Sequence, residues 1–398
     1  MKPRVALYSH DAQGLGHMRR NLAIAAHLVE DGRRSALLLA GAREAAALPM
    51  PPGVECLTLP ALVKATDGGY RARSLDVTLP SLLRLRADTL CAVLESFEPD
   101  VLIVDKHPLG IRGELEPALS LLRARGGTRL VLGLREVLDE PAAVRAEWAQ
   151  GDVEASIAAL YDGVWVYGDP RVYDPVAEYG LSPAVAERIR YTGYLVPPPF
   201  REAAGVDVRA ELGLPPGPIA LCLLGGGQDG AALGGAFAHA PLPAGTTGVI
   251  VAGPCMPAEA RAGLHRAARA RCDLIVRDAV SEPRRLLACA THVISMGGYN
   301  SVCELLAAGA PALVVPRVRP RREQLIRARR LEALGLLDVL APEALSPAAL
   351  GAWLAQAPAS RVPAAEVIDL AGLSRLRERL EAVLAPRPAA LEVDAVVC

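Results

Sequence analysis

Short runs of valine, leucine and isoleucine alternate with helix-patterned segments along most of the chain, and this alternation constrains the fold more than any other feature. A continuous apolar run predicts a strand covered on both faces, which is typical of parallel sheets. Its regular alternation with helices predicts an α/β protein with doubly wound, Rossmann-like sheets. The candidate strands are residues 4–9, 35–40, 101–105, 130–134, 164–167, 219–224, 249–252, 274–277, 293–296 and 312–316.

The alternation breaks once, at the segment 195–199 (LVPPP). Three consecutive prolines cannot continue a strand or a helix, so this segment predicts an interdomain linker. In the chain of 398 residues it separates an N-terminal domain, residues 1–198, from a C-terminal domain, residues 199–371. We expect each domain to bury a core of its own.

Four other segments depart from this pattern. Residues 64–80 show little periodicity and predict a long loop, which in a compact domain is often functional. Residues 372–386 predict an amphipathic helix that packs back towards the N-terminal domain, and the tail 387–398 is expected to be loosely ordered. Residues 79–90 could form an amphipathic helix that contacts a membrane peripherally or packs on its own domain.

The composition argues against several classes of function. The net charge of −1 gives no support to nucleic-acid binding. No apolar run reaches the roughly eighteen residues of a membrane span, and the N-terminus lacks a signal peptide, so we expect a cytoplasmic protein. The eight cysteines are scattered without clustered histidines, which favours reduced thiols over a metal site.

The segment 293–309 (VISMGGYNSVCELLAAG) carries the strongest functional signal. Glycines beneath a helix N-terminus let an anion approach free N–H groups, and the helix dipole favours negative charge. Glu304 lies about one turn into that helix, where a carboxylate could accept hydrogen bonds from a ribose. The segment predicts a nucleotide site, and the alternative is an ordinary turn with glycines for packing. Its candidate residues are Met296, Gly297, Gly298, Asn300, Ser301 and Glu304.

A second strand, glycine loop and helix begin the chain. Gly14 and Gly16 follow the first strand, and His17 stands where the next helix starts. Arg19 replaces the third glycine of the dinucleotide fingerprint. A helix N-terminus keeps an imidazole neutral, so His17 is our candidate general base. The alternative is a histidine that bonds nearby backbone, and His10 is at most a supporting residue.

A third glycine loop follows the strand at 219–224 and contains GxGxxG. The next strand ends in Ala252-Gly253-Pro254, with no carboxylate to hold the ribose of a dinucleotide. The NAD(P) interpretation therefore loses support, and a backbone nest for another nucleotide diphosphate stays open. The candidate residues are Gly225, Gly226, Gly227 and Gln228.

Seven arginines stand among the fourteen residues 317–330. Such a run is most often a solvated helix face, but its first residues follow a strand end and could face phosphates. Glu323 and Gln324 are polar enough to bind sugar hydroxyls.

Two polar clusters follow strands in the N-terminal half. Asp105, Lys106 and His107 stand after residues 101–105, and Arg135 stands after residues 130–134. Each cluster is either a charged loop or part of an acceptor-binding surface. We keep Asp105, Lys106, His107 and Arg135 as acceptor-side candidates.

Taken in order, these elements resemble the glycosyltransferase-B fold, in which two Rossmann-like domains face each other across a cleft. Residues 276–335 resemble the donor-binding half of the family 28 glycosyltransferases, and QGLGH is similar to that family's glycine loop ending in histidine. The stretches SHDAQGLGHMRRNLAIA, VDKHPLG and SMGGYNSVCE look most like a bacterial branch of predicted glycosyltransferases.

The resemblance implies a role for each matching residue. The family's Gln-Gln pair reads Glu323-Gln324 here, so N-acetylglucosamine is not carried over as the donor sugar. Residues 61–90 show no match to the acceptor region of that family, so the resemblance does not identify the acceptor. The implied roles are Glu304 at the ribose, Gly226, Gly227, Gly297 and Gly298 at the diphosphate, Asp278 and Val280 at the base, Glu323 and Gln324 at the sugar, and His17 at the acceptor hydroxyl.

We therefore expect an enzyme that moves a sugar from a uridine or thymidine diphosphate sugar to an acceptor hydroxyl, with inversion, without a metal and without a cofactor. The acceptor could be a small molecule, a glycan or a lipid-linked molecule, and the oligomeric state is open. Two alternatives keep the fold. One is a nucleotide-sugar 2-epimerase or hydrolase, and the other is a non-catalytic nucleotide-sugar sensor.

Overall fold

The computed structural model describes residues 2–11, 16–64, 69–196, 208–280, 283–356 and 361–385. Two parallel sheets, one in each half of the chain, dominate these residues. The linker prolines 197–199, Gly14 and the tail 387–398 lie outside the described residues.

The N-terminal half contains a sheet of seven strands in the order β3-β2-β1-β6-β7-β8-β9 and a small antiparallel hairpin, β4-β5. All residues of β6 and β8 are buried, which explains their continuous apolar sequences. The elements are β1 (Arg4–Ser9), α1 (Gly16–Val29), β2 (Ser35–Ala40), β3 (Val54–Thr58), β4 (Leu62–Lys64), β5 (Tyr70–Ala72), α2 (Leu79–Phe97), β6 (Val101–Asp105), α3 (Glu116–Arg125), β7 (Arg129–Arg135), α4 (Pro141–Gln150), α5 (Val153–Leu160), β8 (Gly163–Tyr167), α6 (Pro175–Tyr179), α7 (Pro183–Ala186) and β9 (Ile189–Tyr191), with 3-10 turns at Arg43–Ala47 and Ile111–Gly113.

The C-terminal half contains a sheet of six strands in the order β12-β11-β10-β13-β14-β15, again parallel throughout. The elements are α8 (Val208–Glu211), β10 (Ile219–Leu223), α9 (Ala231–Ala238), β11 (Thr247–Val251), α10 (Ala258–Arg269), β12 (Leu274–Arg277), α11 (Pro283–Cys289), β13 (His292–Ser295), α12 (Tyr299–Ala308), β14 (Ala312–Val314), α13 (Glu323–Ala333), β15 (Asp338–Val339), a 3-10 turn at Pro342–Ala344, α14 (Pro347–Leu354), α15 (Ala364–Val367) and α16 (Gly372–Leu384).

The predicted α/β architecture is confirmed, and each of the ten candidate strands overlaps a strand of the structure. The sequence missed β3, β9 and β15 because they are short or half-exposed edge strands without a continuous apolar run. The long loop predicted for 64–80 was wrong at residues 64, 70–72 and 79–80, which belong to the β4-β5 hairpin and to the start of α2.

In each sheet the strand order reverses once, between β1 and β6 and between β10 and β13. Helices after two such neighbouring strands lie on opposite faces, which opens a crevice at the carboxyl ends of the strands. The glycine loops at 225–230 and 297–298 and the start of α1 follow three of these four strands. The crevice of each sheet therefore lies beside the glycine-containing segments in which the sequence predicts functional residues.

A buried ion pair joins the two halves. Arg327 on α13 donates from Nε to Oε1 of Glu136 at 2.6 Å, and both side chains are fully buried. The Tyr194 hydroxyl donates to the same oxygen at 2.9 Å. Glu136 follows β7, so the pair ties the carboxyl end of an interior strand of the first sheet to a helix of the second half.

Helix α16 also connects the ends of the chain. Its buried face contains Leu373, Leu376 and Leu380, and α16 packs on α1. Arg377 donates from Nη2 to the carbonyl oxygen of His27 at 2.6 Å. The last described helix thus lies on the N-terminal half.

Helix α2 is held by charge as well as by apolar packing. Leu82 and Leu90 are buried, whereas Leu85 is half-exposed. Arg86 is buried and donates from Nη2 to Oε1 of Glu114 at 2.7 Å. This helix therefore packs on its own domain, and no helix among the described residues is long and apolar enough to cross a membrane.

We expect Arg327→Met to lower the free energy of unfolding by about 3–5 kcal/mol, because Glu136 then stays buried without a cation. Arg330→Met is the matched control on the same helix. Its ion pair with Glu178 also joins the halves, but the Arg330 side chain is 48% exposed, so we expect a loss of about 1 kcal/mol or less. Urea unfolding measures the free energy of unfolding of both variants. Equal losses in the two variants would contradict the stabilising role of the buried pair.

Candidate functional site

A cavity of about 430 Å³ lies between the two crevices and is lined by residues of both halves. The helix starts of α1 and α12 meet there, since Asn300 donates from Nδ2 to the carbonyl oxygen of Gly16 at 3.0 Å. We call this cavity the cleft. Its lining includes His10, Gly16, His17, Arg19, Arg20, Lys64, Tyr70, Lys106, His107 and Arg135 from the first half, and Gly225, Gly226, Gly227, Gln228, Asp229, Met296, Gly298, Asn300, Ser301, Arg317, Arg321, Glu323 and Gln324 from the second.

His17 and Asp105 form a hydrogen-bonded pair at the floor of the cleft. Nδ1 of His17 lies 2.7 Å from Oδ2 of Asp105, and the Asp105 carboxylate is fully buried. Arg20, one turn along α1, donates from Nη2 to both Asp105 oxygens at 2.6 Å. The carboxylate is therefore held between a cation and an imidazole.

This geometry fixes the tautomer of His17. A carboxylate oxygen at 2.7 Å requires a proton on Nδ1, because two lone pairs would otherwise face each other. Arg20 Nη2 also lies within hydrogen-bond distance of Nδ1, at 2.9 Å, but both Asp105 oxygens are closer acceptors for it at 2.6 Å. The proton on Nδ1 leaves the lone pair on Nε2, which is the arrangement that a general base needs.

The pKa values agree with a neutral imidazole beside an ionised carboxylate. Burial lowers the pKa of His17 to about 4, with Asp105 opposing and Arg20 adding to the shift. Burial alone would raise the pKa of Asp105, but Arg20 and His17 outweigh it and hold that pKa well below its usual range. At neutral pH His17 can accept a proton.

Two more histidines adjoin the pair. The ring of His10 lies 5.0 Å from the ring of His17 and 4.5 Å from the ring of His107. Burial lowers the pKa of His10 and of His107 well below the usual value, and neighbouring histidines and Lys106 contribute. These rings are therefore neutral. Among the described residues, no group of three His, Cys, Asp or Glu side chains could hold a metal ion.

The opposite wall carries backbone donors and an acid–amide pair. Glu323 accepts a hydrogen bond from Nη2 of Arg317 at 3.0 Å, and Gln324 Oε1 accepts one from the Arg317 backbone N–H at 2.9 Å. Oε2 of Glu323 is buried without a partner among the described residues. Arg317 also pairs with Asp229 at 2.8 Å, which links this pair to the glycine loop.

The lining of the cleft is strongly basic. Within the described residues it contains seven lysines and arginines but two carboxylates, Asp229 and Glu323. Both carboxylates pair with Arg317. Positive charge and free helix N-terminal N–H groups in one concave site favour an anionic ligand. The seven cations are Arg19, Arg20, Lys64, Lys106, Arg135, Arg317 and Arg321.

The structure gathers most of the predicted site residues into the cleft, but not all. Gly297 has a left-handed φ of 76°, and a Cβ there would lie 2.5 Å from Val314, so this glycine serves packing. Asp278 is exposed and pairs with His265 at 2.7 Å. Asp105 is buried beneath His17 instead of lying on an acceptor-side wall. The predicted donor residues outside the cleft lining are Asp278, Val280, Gly297 and Glu304.

Sequence reasoning missed two residues that shape the site. Arg20 lies on the buried face of α1, where Ile24 and Leu28 follow it at intervals of four residues, whereas Arg19 is exposed. Arg327 belongs to the run predicted to be mostly solvated, yet it is fully buried. The period of α13, with Ala328 and Leu331 buried beside Arg327, is the signal that could have found it.

Comparison of the sequence with known protein families and with curated proteins gives no match. Solved structures are similar over nearly the whole chain. The calicheamicin glycosyltransferase CalG4 is 19% identical with a TM-score of 0.61, over 98% of this chain and 100% of that one. The kitacinnamycin glycotransferase is 17% identical with a TM-score of 0.62, over 97% of this chain and 100% of that one. TcCGT1 in complex with UDP is 14% identical with a TM-score of 0.59, over 96% of this chain and 94% of that one. These likenesses confirm the glycosyltransferase-B fold.

We expect His17 to be the Nδ1–H tautomer at pH 7 and to gain a proton with a midpoint at about 4. Long-range proton–nitrogen NMR of protein with ¹⁵N-labelled histidine measures the tautomer and the titration midpoint. The signals of His17 are those that are lost in His17→Gln. An Nε2–H tautomer, or a midpoint above the ordinary histidine value, would contradict this geometry.

Proposed function

We propose that the protein transfers a sugar from a nucleoside diphosphate sugar to an acceptor hydroxyl. The observation that carries this proposal is the His17–Asp105 pair, which faces the glycine loops and the α12 N-terminus across one basic cleft. One wall suits a base that deprotonates a hydroxyl, and the other suits a diphosphate. TcCGT1, which shares the fold, was solved in complex with UDP. We therefore propose uridine or thymidine diphosphate sugars as the donors of this protein.

The leaving group of such a reaction is a nucleoside diphosphate, whose negative charge grows as the glycosidic bond breaks. The N–H groups at the start of α12 and the backbone of Gly225 and Gly226 can stabilise that charge, and Arg317 adds a cation. The chain's own donors could thus do what a metal ion does in other enzymes. Metal independence is part of the proposal.

The acceptor hydroxyl would lie at Nε2 of His17. Asp105 fixes the ring and stabilises the imidazolium that forms when His17 takes the proton. The hydroxyl that His17 deprotonates could attack the anomeric carbon directly, without a nucleophile from the protein. Such a single displacement inverts the anomeric carbon, and inversion is part of the proposal.

The narrower assignment to the family 28 branch, with Glu304 at the ribose and Glu323 and Gln324 at the donor sugar, is also part of the proposal. The unpartnered Oε2 of Glu323 supports the sugar role, since it could accept a hydroxyl hydrogen bond. Glu304 lies outside the cleft lining, so its role would require the ribose to extend beyond the cavity.

We expect His17→Ala to lower kcat by about 10²–10⁴-fold with little change in UDP affinity, because the base is lost and the diphosphate wall is intact. His27→Ala, on the same helix but outside the cleft lining, is the control and should keep full activity. Release of UDP or dTDP from a panel of donor sugars measures turnover. Equal activity of His17→Ala and the wild type would overturn the proposed mechanism.

The same assay separates the alternatives. Release of free sugar at the same rate with and without acceptors would indicate a hydrolase, and a changed sugar configuration in the recovered donor would indicate an epimerase. Binding of UDP with no turnover of any donor would favour a sensor. Only acceptor-dependent release supports the transferase.

Two neighbouring glycines test the diphosphate wall. A Cβ at Gly226 would meet nothing within 4 Å, so we expect Gly226→Ala to fold normally but to weaken UDP binding by about tenfold or more. Gly227 has φ of 88°, and its Cβ would lie 2.3 Å from the carbonyl oxygen of Ala252. Gly227→Ala should lose about 1–3 kcal/mol of stability. Calorimetric titration measures the affinity of each variant for UDP, and thermal unfolding measures its stability. Normal UDP binding by Gly226→Ala would contradict the assignment of this loop to the diphosphate.

A further inference from the structure

Two partly buried cations in the wall of the cleft have no partner among the described residues, and the exposed Arg19 and Lys64 also lack one. Arg135 ends β7, and Lys106 directly follows β6. Both line the cleft, and within the described part of the chain neither side chain forms a hydrogen bond or an ion pair. Nε of Arg135 is buried as well as unpartnered.

Three buried arginines near these sheets are each paired with a carboxylate. Arg20 pairs with Asp105, Arg86 with Glu114 and Arg327 with Glu136, each at 2.7 Å or less. A buried cation without a counter-ion is costly, which is why such pairs are usual. Arg135 and Lys106 are partly buried without such a pair, and both face the cleft, where a ligand could supply an anion.

The two cations also repel each other. Burial, together with Arg135 and Arg321, lowers the pKa of Lys106 to about 7, against a smaller opposing effect of Glu147 and Glu323. Burial lowers the pKa of Arg135 to about 10, and the paired Arg327 and Arg20 contribute. Lys106 has a left-handed φ of 70°, a conformation that is uncommon for non-glycine residues.

Their position assigns the anion to the acceptor side. Lys106 follows Asp105, the residue that orients His17, and both cations come from the first sheet. The diphosphate wall belongs to the other sheet. We propose, resting on the function proposed above, that Arg135 and Lys106 bind a carboxylate or phosphate group of the molecule whose hydroxyl His17 deprotonates. The acceptor is therefore an anionic hydroxy compound.

A small pocket of about 40 Å³ adjoins this position. Leu138, Val144 and Trp148 line it together with Lys106, Glu147 and Arg321. This volume admits only a group of the size of a few water molecules, so the pocket does not bind a ring of the acceptor. Benzoate, a small organic carboxylate, is a suitable probe of the anion site itself.

The test uses the scarcity of lysine in this chain, which has three: Lys2, Lys64 and Lys106. Reductive methylation with ¹³C-formaldehyde gives each lysine one NMR signal and keeps its charge, and Lys106→Arg assigns the signal of Lys106. We titrate this signal with pH in chloride, then with inorganic phosphate or benzoate at equal ionic strength, each with and without saturating UDP. We expect either anion to raise the midpoint from about 7 to about 8 or above in the UDP-bound protein, because an anion favours the charged amine.

Arg135→Met should remove most of this anion-dependent rise, whereas Arg145→Met, an exposed residue outside the cleft lining, should leave it unchanged. No rise with either anion would overturn the proposal. A rise with UDP alone would assign the two cations to the donor diphosphate. A rise with UDP-glucuronate but not with UDP-glucose plus benzoate would assign them to the donor sugar. Failure of UDP to bind would refute the proposed function, while the titration without UDP still decides whether the two cations bind an anion.

Discussion

The buried ion pair between Glu136 and Arg327 is the interaction on which the arrangement of the two halves depends. Each partner alone would be an uncompensated charge in a low-dielectric interior, so the pair holds only when the first sheet and α13 keep their relative position. Glu323 begins the same helix and lines the cleft. The pair therefore sets the width of the cleft as well as the contact between the halves.

Arg20, which contacts the His17–Asp105 pair, and Arg327 of the ion pair share one aromatic neighbour. Tyr299, the first residue of α12, has its ring centre 5.5 Å from the guanidinium carbon of Arg20 and 5.5 Å from that of Arg327. It also stacks on Tyr194, and its hydroxyl accepts a hydrogen bond from the Leu195 backbone N–H at 3.2 Å. Movement of one half against the other would disturb these contacts together. The orientation of His17 through Asp105 and Arg20 is thus coupled to the C-terminal half.

Charge is balanced beneath the cleft and unbalanced on its surface. Below the floor, carboxylates and arginines satisfy each other with short hydrogen bonds. On the walls, Arg135 and Lys106 lack partners among the described residues, and one oxygen of Glu323 is unpartnered. A diphosphate, a sugar hydroxyl and an acceptor anion would complete these groups. The buried ion pairs beneath the cleft fix the strands and helices that hold these like charges close together.

The sequence by itself determined the α/β class, the central strands and the glycine loops, because continuous apolar runs and glycine before a helix are local signals. It also singled out His17, since a helix start after a strand is readable without the rest of the fold. Only the tertiary structure decided that Asp105 lies beneath His17, that Arg327 is buried, and that Gly297 serves packing. Those facts depend on residues 88, 191 and 17 positions apart in the chain. A charged side chain carries no local sign of whether its partner is water or a distant carboxylate, so its burial is settled only when the sheets come together.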